Sequence, residues 1–330
     1  MHELGRTGLM ISRVGFGGIP IQRTEEEKIP ALFDALIEEG INFIDTARGY
    51  TVSEEYIGRA LAGRRDQFVL ATKSMARSAE AMAADIEISL GNLQTDHIDL
   101  YQIHNPGPAD LEKVLAPGGA MEALVDAKKA GKIGHIGLTC HLTEVFEKAL
   151  EIPQVETVMF PYNPVETQGE ALIAKCREKG IGFIAMKPLA GGAIENAELA
   201  MRFILQNEAV SVVIPGMYCP EEVKMNARAA GTLTKEDLIE IDALRRTLGT
   251  QFCRRCNYCA PCTAGINIPG VFLFEGYLER YGLEGWARDR YNAMAKTASD
   301  CIGCGVCETR CPYGLPIRDM MKKAEKAFGK

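Results

Sequence analysis

The chain has 330 residues, of which 47% are hydrophobic and 25% charged, with a net charge of −7. This balance supports a large buried core and excludes wholesale disorder. An acidic chain is a poor match for nucleic-acid phosphates, so no nucleic-acid partner is expected. No segment reaches the roughly 20 uninterrupted apolar residues of a membrane span, and Met1-His2-Glu3-Leu4-Gly5-Arg6 lacks the start of a secretory signal. A cytoplasmic protein with no membrane partner is the expectation.

In chain order, strands are expected at Arg13–Gly17, Asn42–Asp45, Phe68–Thr72, Ile98–Ile103, Ile133–Leu138, Val155–Phe160, Gly182–Met186 and Ser211–Ile214. Helical patterns lie between them, for example Ala31–Glu39, Glu80–Leu93, Met121–Ala130 and Glu170–Lys179. Three of these run into Gly40, Gly131 or Gly180, the left-handed stop expected just after a helix. Eight strands each followed by a helix predict a (β/α)8 TIM barrel. An open doubly wound sheet would carry a glycine fingerprint after its first strand, and Gly15-Phe16-Gly17-Gly18 lacks the later glycine that opens a helix. Residues 234–248 read as a helix capped by Thr234, with Asp237 three residues on. That helix ends the barrel domain, taken as 1–248, and leads into a second domain, 249–330.

The second domain holds two cysteine runs, Cys253-x2-Cys256-x2-Cys259-x2-Cys262 and Cys301-x2-Cys304-x2-Cys307-x3-Cys311-Pro312. Zinc competes for Cys-x2-Cys pairs, but its sites usually use isolated pairs. Four thiolates in succession, twice, with a closing Cys-Pro, point to two [4Fe-4S] clusters in a mostly helical, ferredoxin-like domain. In two-cluster ferredoxins the fourth cysteine of a run serves the neighbouring cluster. The expected sets are therefore Cys253, Cys256, Cys259 and Cys311 on one cluster, and Cys301, Cys304, Cys307 and Cys262 on the other. The first run departs from that pattern, with two residues rather than three before Cys262 and no proline after it. Between the runs lie 38 residues carrying Trp286, Tyr277, Tyr281 and Tyr291, read as one or two helices whose aromatics are core. Cys140, Cys176 and Cys219 stand apart and are expected to pack as inert thiols.

In a barrel of this kind, functional groups come from strand C-terminal ends. Those ends offer Asp45, Tyr50 five residues on, Lys73 and His104. A tyrosine hydroxyl, with a pKa near 10, needs a cation nearby to act as an acid at neutral pH. Lys73 can supply it, Asp45 can hold the lysine charged, and His104 can donate to a carbonyl oxygen. Taken singly, Asp45 could cap a helix, Tyr50 could be a loop aromatic and His104 a turn residue. Four such groups at consecutive strand ends are harder to explain that way.

Residues 1 to about 248 resemble the aldo-keto reductase family. The resemblance rests on Gly40-Ile41-Asn42-Phe43-Ile44-Asp45-Thr46-Ala47 with Tyr50, on Ala71-Thr72-Lys73, and on the run from Ser89 through Asp99-Leu100-Tyr101-Gln102-Ile103-His104. It continues in Gly131-Lys132-Ile133-Gly134-His135-Ile136-Gly137 and Ile214-Pro215-Gly216. The whole chain resembles the subset of that family with a C-terminal ferredoxin-type domain. The resemblance implies a barrel that binds NADH or NADPH and reduces a small-molecule carbonyl, an aldehyde or ketone, with Tyr50 as acid and Asp45, Lys73 and His104 around it.

It also implies nicotinamide contacts. The family's Ser-Asn pair and Gln fall here on Thr139, Cys140 and Met159, and its stacking tyrosine on Met186. Leu189, Gly191 and Gly192, with the segment Pro215-Gly216 before the last barrel helix, are placed to offer amides and a helix N-terminus to a pyrophosphate, although these glycines could simply turn the chain. Glu222 stands where the family often has a 2′-phosphate-binding arginine, with Asn226 kept as an adenine contact. A carboxylate repels that phosphate, so NADH is expected over NADPH, with Lys224 and Arg228 as partial compensators.

A nicotinamide passes two electrons and a cluster passes one. Three roles for the clusters stay open: structural support, exchange with a ferredoxin or flavoprotein partner, or single-electron reduction of a substrate. The alternative function is an iron-sulfur electron-transfer protein whose barrel is a docking scaffold or binds a non-nicotinamide substrate.

Overall fold

The computed structural model describes residues 1–229, 231–249, 251–279 and 284–329, so Tyr281 lies outside the described residues. Its contacts divide the chain into two compact units, Met1–Ala190 with Ile194–Leu244, and Gly191–Ala193 with Arg245–Lys330.

The first unit opens with a hairpin, β1 (His2–Glu3) against β2 (Met10–Ile11). Eight parallel strands follow: β3 (Phe16–Gly17), β4 (Phe43–Asp45), β5 (Val69–Ser74), β6 (Ile98–His104), β7 (Ile133–Thr139), β8 (Thr157–Pro161), β9 (Gly182–Met186) and β10 (Val212–Ile214). Each pairs with the next in order. The ring is joined between its ends by parallel bridges Val14↔Val213 and Gly17↔Gly216, through Gly15 N–H to Val213 O at 2.8 Å and Gly17 N–H to Pro215 O at 2.9 Å. This is the expected (β/α)8 TIM barrel, with helices such as Ile29–Glu38, Ala79–Leu93 and Glu170–Glu178 between the strands.

Strand limits differ from the sequence reading where turns compete. The sequence pattern places Val155 in a strand, but its N–H bonds Ile152 O at 3.0 Å, so the helix-ending turn holds it and β8 starts at Thr157. Phe68 is likewise held by Arg65 O at 3.3 Å, and β5 instead runs on to Ser74.

Side chains alternate along each strand. The inward set packs Phe43, Ala71, Leu100, Met159, Ile184 and Val212 with Leu4 and Ile11 of the hairpin. A Cβ at Gly182, the first residue of β9, would lie 2.6 Å from Leu4, so the hairpin plugs the N-terminal end of the barrel and requires glycine there. The outward faces pack on the helices in one larger core, Phe16, Phe33, Tyr101, Phe146 and Phe183 among its members. The helix Lys235–Leu248 is capped as expected, Thr234 N–H giving to Asp237 at 2.8 Å and Asp237 N–H to Thr234 Oγ1 at 3.1 Å.

The second unit contains the helices Ile268–Glu279, Glu284–Asn292, Val306–Arg310 and Ile317–Phe328. Their shared core includes Phe272, Tyr291, Met321 and Phe328. Tyr291 stacks on Phe328 at 3.7 Å, and its hydroxyl accepts the Ala298 N–H at 2.9 Å. The aromatic-core expectation holds for Tyr291 but not for Trp286, which is 39% exposed. Trp286 faces outward with Arg290 over its ring at 3.8 Å and Tyr277 at its edge, 4.6 Å away. Among the described residues no helix is long and apolar enough to cross a membrane.

Candidate functional site

The two-residue period decides what the barrel mouth contains. In β4, β5 and β6 the register pairs Asp45 with Ala71 and Lys73 with Gln102. Phe43, Ala71 and Leu100 fill the interior lower down, and Asp45, Lys73, Gln102 and His104 follow on the same face toward the strand C-termini. Lys73 and His104 are the penultimate and last residues of their strands, rather than loop residues after them.

Lys73 Nζ donates to Asp45 Oδ2 at 2.5 Å and to the Thr46 carbonyl at 2.7 Å, while Gln102 Nε2 donates to Asp45 Oδ1 at 3.1 Å. The side chains of Lys73 and Asp45 are 3% and 4% exposed. Tyr50 is partly buried and arrives on the loop after β4, which is stitched to β5 by Thr46 N–H to Ala71 O at 2.9 Å and Arg48 N–H to Lys73 O at 3.0 Å. Its ring lies 4.9 Å from Lys73 Nζ and meets His104 edge-on at 6.1 Å and 88°. The structure thus brings all four predicted groups together.

Burial pushes the Asp45 carboxyl up and the Lys73 ammonium down, and the attraction between the two works against both shifts. Burial, then the Asp45 charge, pushes the Tyr50 hydroxyl above its ordinary value. His104 is pushed well below the usual histidine range by burial and by the cations Lys73, Arg77 and Lys187, and so stays neutral near pH 7. Lys73 is the cation beside the Tyr50 ring. Its ammonium is engaged by Asp45 and lies against the ring, so Tyr50 keeps its proton and can donate a hydrogen bond.

Sequence reasoning missed three supporting groups. Gln102 could have been found by counting back two from His104 on one strand face. Arg77 donates to the carbonyls of His104 and Asn105 at 2.9 and 3.1 Å. The buried His141 pairs with Asn105 Oδ1 at 2.9 Å. These last two contacts join different βα loops, and no local pattern signals them.

The predicted nicotinamide contacts are more dispersed. Thr139 ends β7, and its hydroxyl accepts the Asn105 N–H at 3.1 Å. Cys140, Met159 and Met186 are buried. The Leu189 carbonyl accepts the Ile194 N–H at 3.2 Å. Gly191 and Gly192, at φ +70° and +88°, belong to the second unit. Within it, a Cβ on Gly191 would fall 2.4 Å from the Arg254 carbonyl oxygen, and one on Gly192 1.9 Å from the Arg255 guanidinium. The Arg254 backbone beside Gly191, and the positive φ at both positions, account for glycine there. The Pro215 carbonyl accepts the Gly17 N–H, and Gly216 pairs with Gly17 in the parallel bridge that helps close the barrel. Glu222 accepts the Tyr218 N–H at 3.0 Å, and Asn226 Nδ2 donates to the Glu222 carbonyl at 2.8 Å. Arg228 pairs with Glu39 at 3.0 Å.

In the second unit, Cys262, Cys301, Cys304 and Cys307 line one cavity with Thr263, Ile266 and Val306. Cys259 is buried elsewhere, and burial together with Cys253, Cys256 and Cys311 beside it pushes its thiol up to about 12. Arg255 at φ +52°, Asn257 at +66°, Gly303 at +69° and Gly305 at +77° curl the loops that carry these thiols. The Arg255 N–H points at Cys253 Sγ, 3.4 Å away. Among the described residues no three His, Cys, Asp or Glu side chains gather at a single-ion position. The eight thiols fall instead into two sets of four, a donor set that suits iron-sulfur clusters. Of the other cysteines, Cys140 and Cys176 are buried, and burial pushes the Cys176 thiol up to about 12. Cys219 departs from the packing expectation: it precedes the helix Pro220–Ala227 and is only partly buried.

Comparison with known proteins agrees with both units. A sequence model of the aldo/keto reductase family matches residues 13–199, and one of a 4Fe-4S dicluster domain matches residues 252–316. L-Galactose dehydrogenase of Arabidopsis thaliana is 27% identical over 301 residues, spanning 74% of this chain and 93% of that protein. The holo form of an aldo-keto reductase from Bacillus halodurans superposes with a TM-score of 0.65 at 27% identity, covering 74% of this chain and 95% of that one. An aldo/keto reductase from Klebsiella pneumoniae, in complex with NADP and acetate, gives a TM-score of 0.64 at 25% identity over 73% of this chain and 93% of that one.

Proposed function

The chain belongs to the aldo/keto reductase family, and we propose that its barrel reduces an aldehyde or ketone with NADH or NADPH. The observation that carries this reading is the buried group in which Lys73 holds Asp45 and Thr46 O while its ammonium lies against the Tyr50 ring beside His104. A bound nicotinamide would supply hydride to the carbonyl carbon. Tyr50, kept protonated, gives its proton to the carbonyl oxygen. The neutral His104 donates a hydrogen bond to the same oxygen and orients it. Asp45 and Gln102 fix Lys73, whose field favours negative charge arising on the Tyr50 oxygen.

On this reading Thr139, Met186, Leu189, Pro215, Gly216, Glu222 and Asn226 hold the nicotinamide cofactor. Glu222 supports a preference for NADH, because a carboxylate repels a 2′-phosphate, and Arg228 is already engaged by Glu39. The resemblance to an enzyme solved with NADP supports nicotinamide binding as such. The eight thiols of the second unit would hold two [4Fe-4S] clusters in the sets Cys253, Cys256, Cys259, Cys311 and Cys262, Cys301, Cys304, Cys307. Such clusters exchange single electrons, which fits a ferredoxin or flavoprotein partner, and a reducing cytoplasm suits reduced thiolates.

One observation favours the second reading, an electron-transfer protein with a scaffold barrel. Cys140 and Met159, where the family grips the carboxamide with polar side chains, are 0% and 1% exposed and apolar. Titrating NADH and NADPH into anaerobically purified protein separates the two. Saturable binding, tighter for NADH, is expected, and no saturable binding of either sinks the reductase reading.

A further inference from the structure

The two cysteine sets differ in their surroundings. Cys304 is the exposed one among the eleven cysteines, and Ile302 two residues before it is 66% exposed. Thr263, which follows Cys262 directly, spans 41 positions of sequence to place its Oγ1 3.6 Å from Cys304 Sγ. Glu308, on the helix Val306–Arg310 that follows, is engaged by the Arg318 N–H and Nε, both at 2.8 Å. The same guanidinium would lie 3.7 Å from a Cβ on Gly305.

As a free thiol, Cys304 can donate to Thr263. As an iron ligand it is a thiolate with no proton, so in that contact only the Thr263 hydroxyl can donate. We propose that Thr263 sets the reduction potential of the cluster ligated by Cys304, its hydroxyl donating to the Cys304 sulfur. This rests on the two-cluster reading above. Adding one electron increases the negative charge on the cluster and its sulfurs, with no bond made or broken. A donor to a ligand sulfur stabilises that reduced form more than the oxidised one and raises the potential. Because Cys304 is exposed, an external carrier can approach closely there, and Thr263 governs the driving force of that exchange.

The test is a potentiometric titration of anaerobically purified holoprotein with dithionite, followed by EPR of the reduced clusters. Thr263→Val keeps the shape of the side chain and removes the donor. It should move one of the two one-electron steps to lower potential and leave the other in place. Thr263→Ser, which restores a hydroxyl, should return that step toward the wild-type value. Two unmoved steps, two equally moved steps, or a serine variant displaced as far as the valine variant would each overturn the proposal. Iron well below about eight per wild-type chain removes the two-cluster reading itself, and the proposal with it, so the two failures are told apart.

Discussion

Replacing Asp45 with Asn keeps the shape of the barrel mouth and removes one charge of a buried pair. With Lys73 Nζ 2.5 Å from Asp45 Oδ2, the gross attraction at an effective dielectric near 20 is about 6–7 kcal/mol. Desolvation of both ions offsets much of this, and leaving one partner of such a pair behind typically costs about 3–5 kcal/mol. Lys73 would then lose the main force opposing its downward shift. Its folded pKa lies below the unfolded value of about 10.4, so between the two the unfolded chain binds more protons and stability rises with pH. Asp45→Asn should therefore lose about 3–5 kcal/mol at pH 7 and recover part of it at pH 9.5. Lys73→Met should also be costly alone, and the double variant should be less destabilised than the sum by about 2–3 kcal/mol. The assay is urea unfolding with the barrel followed by far-UV circular dichroism. Trp286, the single tryptophan, lies in the second unit and reports that unit separately by fluorescence. A deficit equal at both pH values, or strict additivity in the double variant, would refute the charge-pair account.

Tyr50→Phe should lower carbonyl reduction by about 10²–10⁴-fold while the visible absorbance of the clusters is unchanged; turnover near wild type would show that Tyr50 is not the acid. Glu156 is a test of pH dependence at the other end of the barrel. Burial opposes its charge, but His135 at 2.9 Å, Lys128 at 2.6 Å and the Ile136 N–H at 3.2 Å take its carboxyl down to about 2. Its stabilising contribution is present above the ordinary carboxylate value of about 4.3 and is lost as the pH falls toward 2. Glu156→Gln should accordingly flatten the acid limb of urea stability between pH 5 and 3, and an unchanged limb would argue against the pairing.

Much of this was legible in one dimension because it obeys short periods. Strand alternation and glycine stops revealed the barrel, and the cysteine spacings pointed to the 4Fe-4S domain. Asp45, Lys73 and His104 could be placed because each sits at a strand end. Strand limits were less legible where a turn carbonyl competes for an N–H, as Ile152 does for that of Val155. Trp286 was misplaced because composition does not say which face of a helix turns outward. Gly191 and Gly192 read as phosphate cradles, and only the Arg254 backbone beside Gly191 and the positive φ at both positions showed another demand on them.

The sequence by itself determined the barrel, the reductase family and the thiols, since each is encoded by residues near one another or at a fixed period. The tertiary structure decided how those groups are tuned. That Lys73 faces the Tyr50 ring with its charge engaged, that Gln102 and Arg77 support the site, and that Thr263 reaches Cys304 all depend on segments far apart in the chain. Contacts of that kind are fixed by packing and strand register, which no local pattern records.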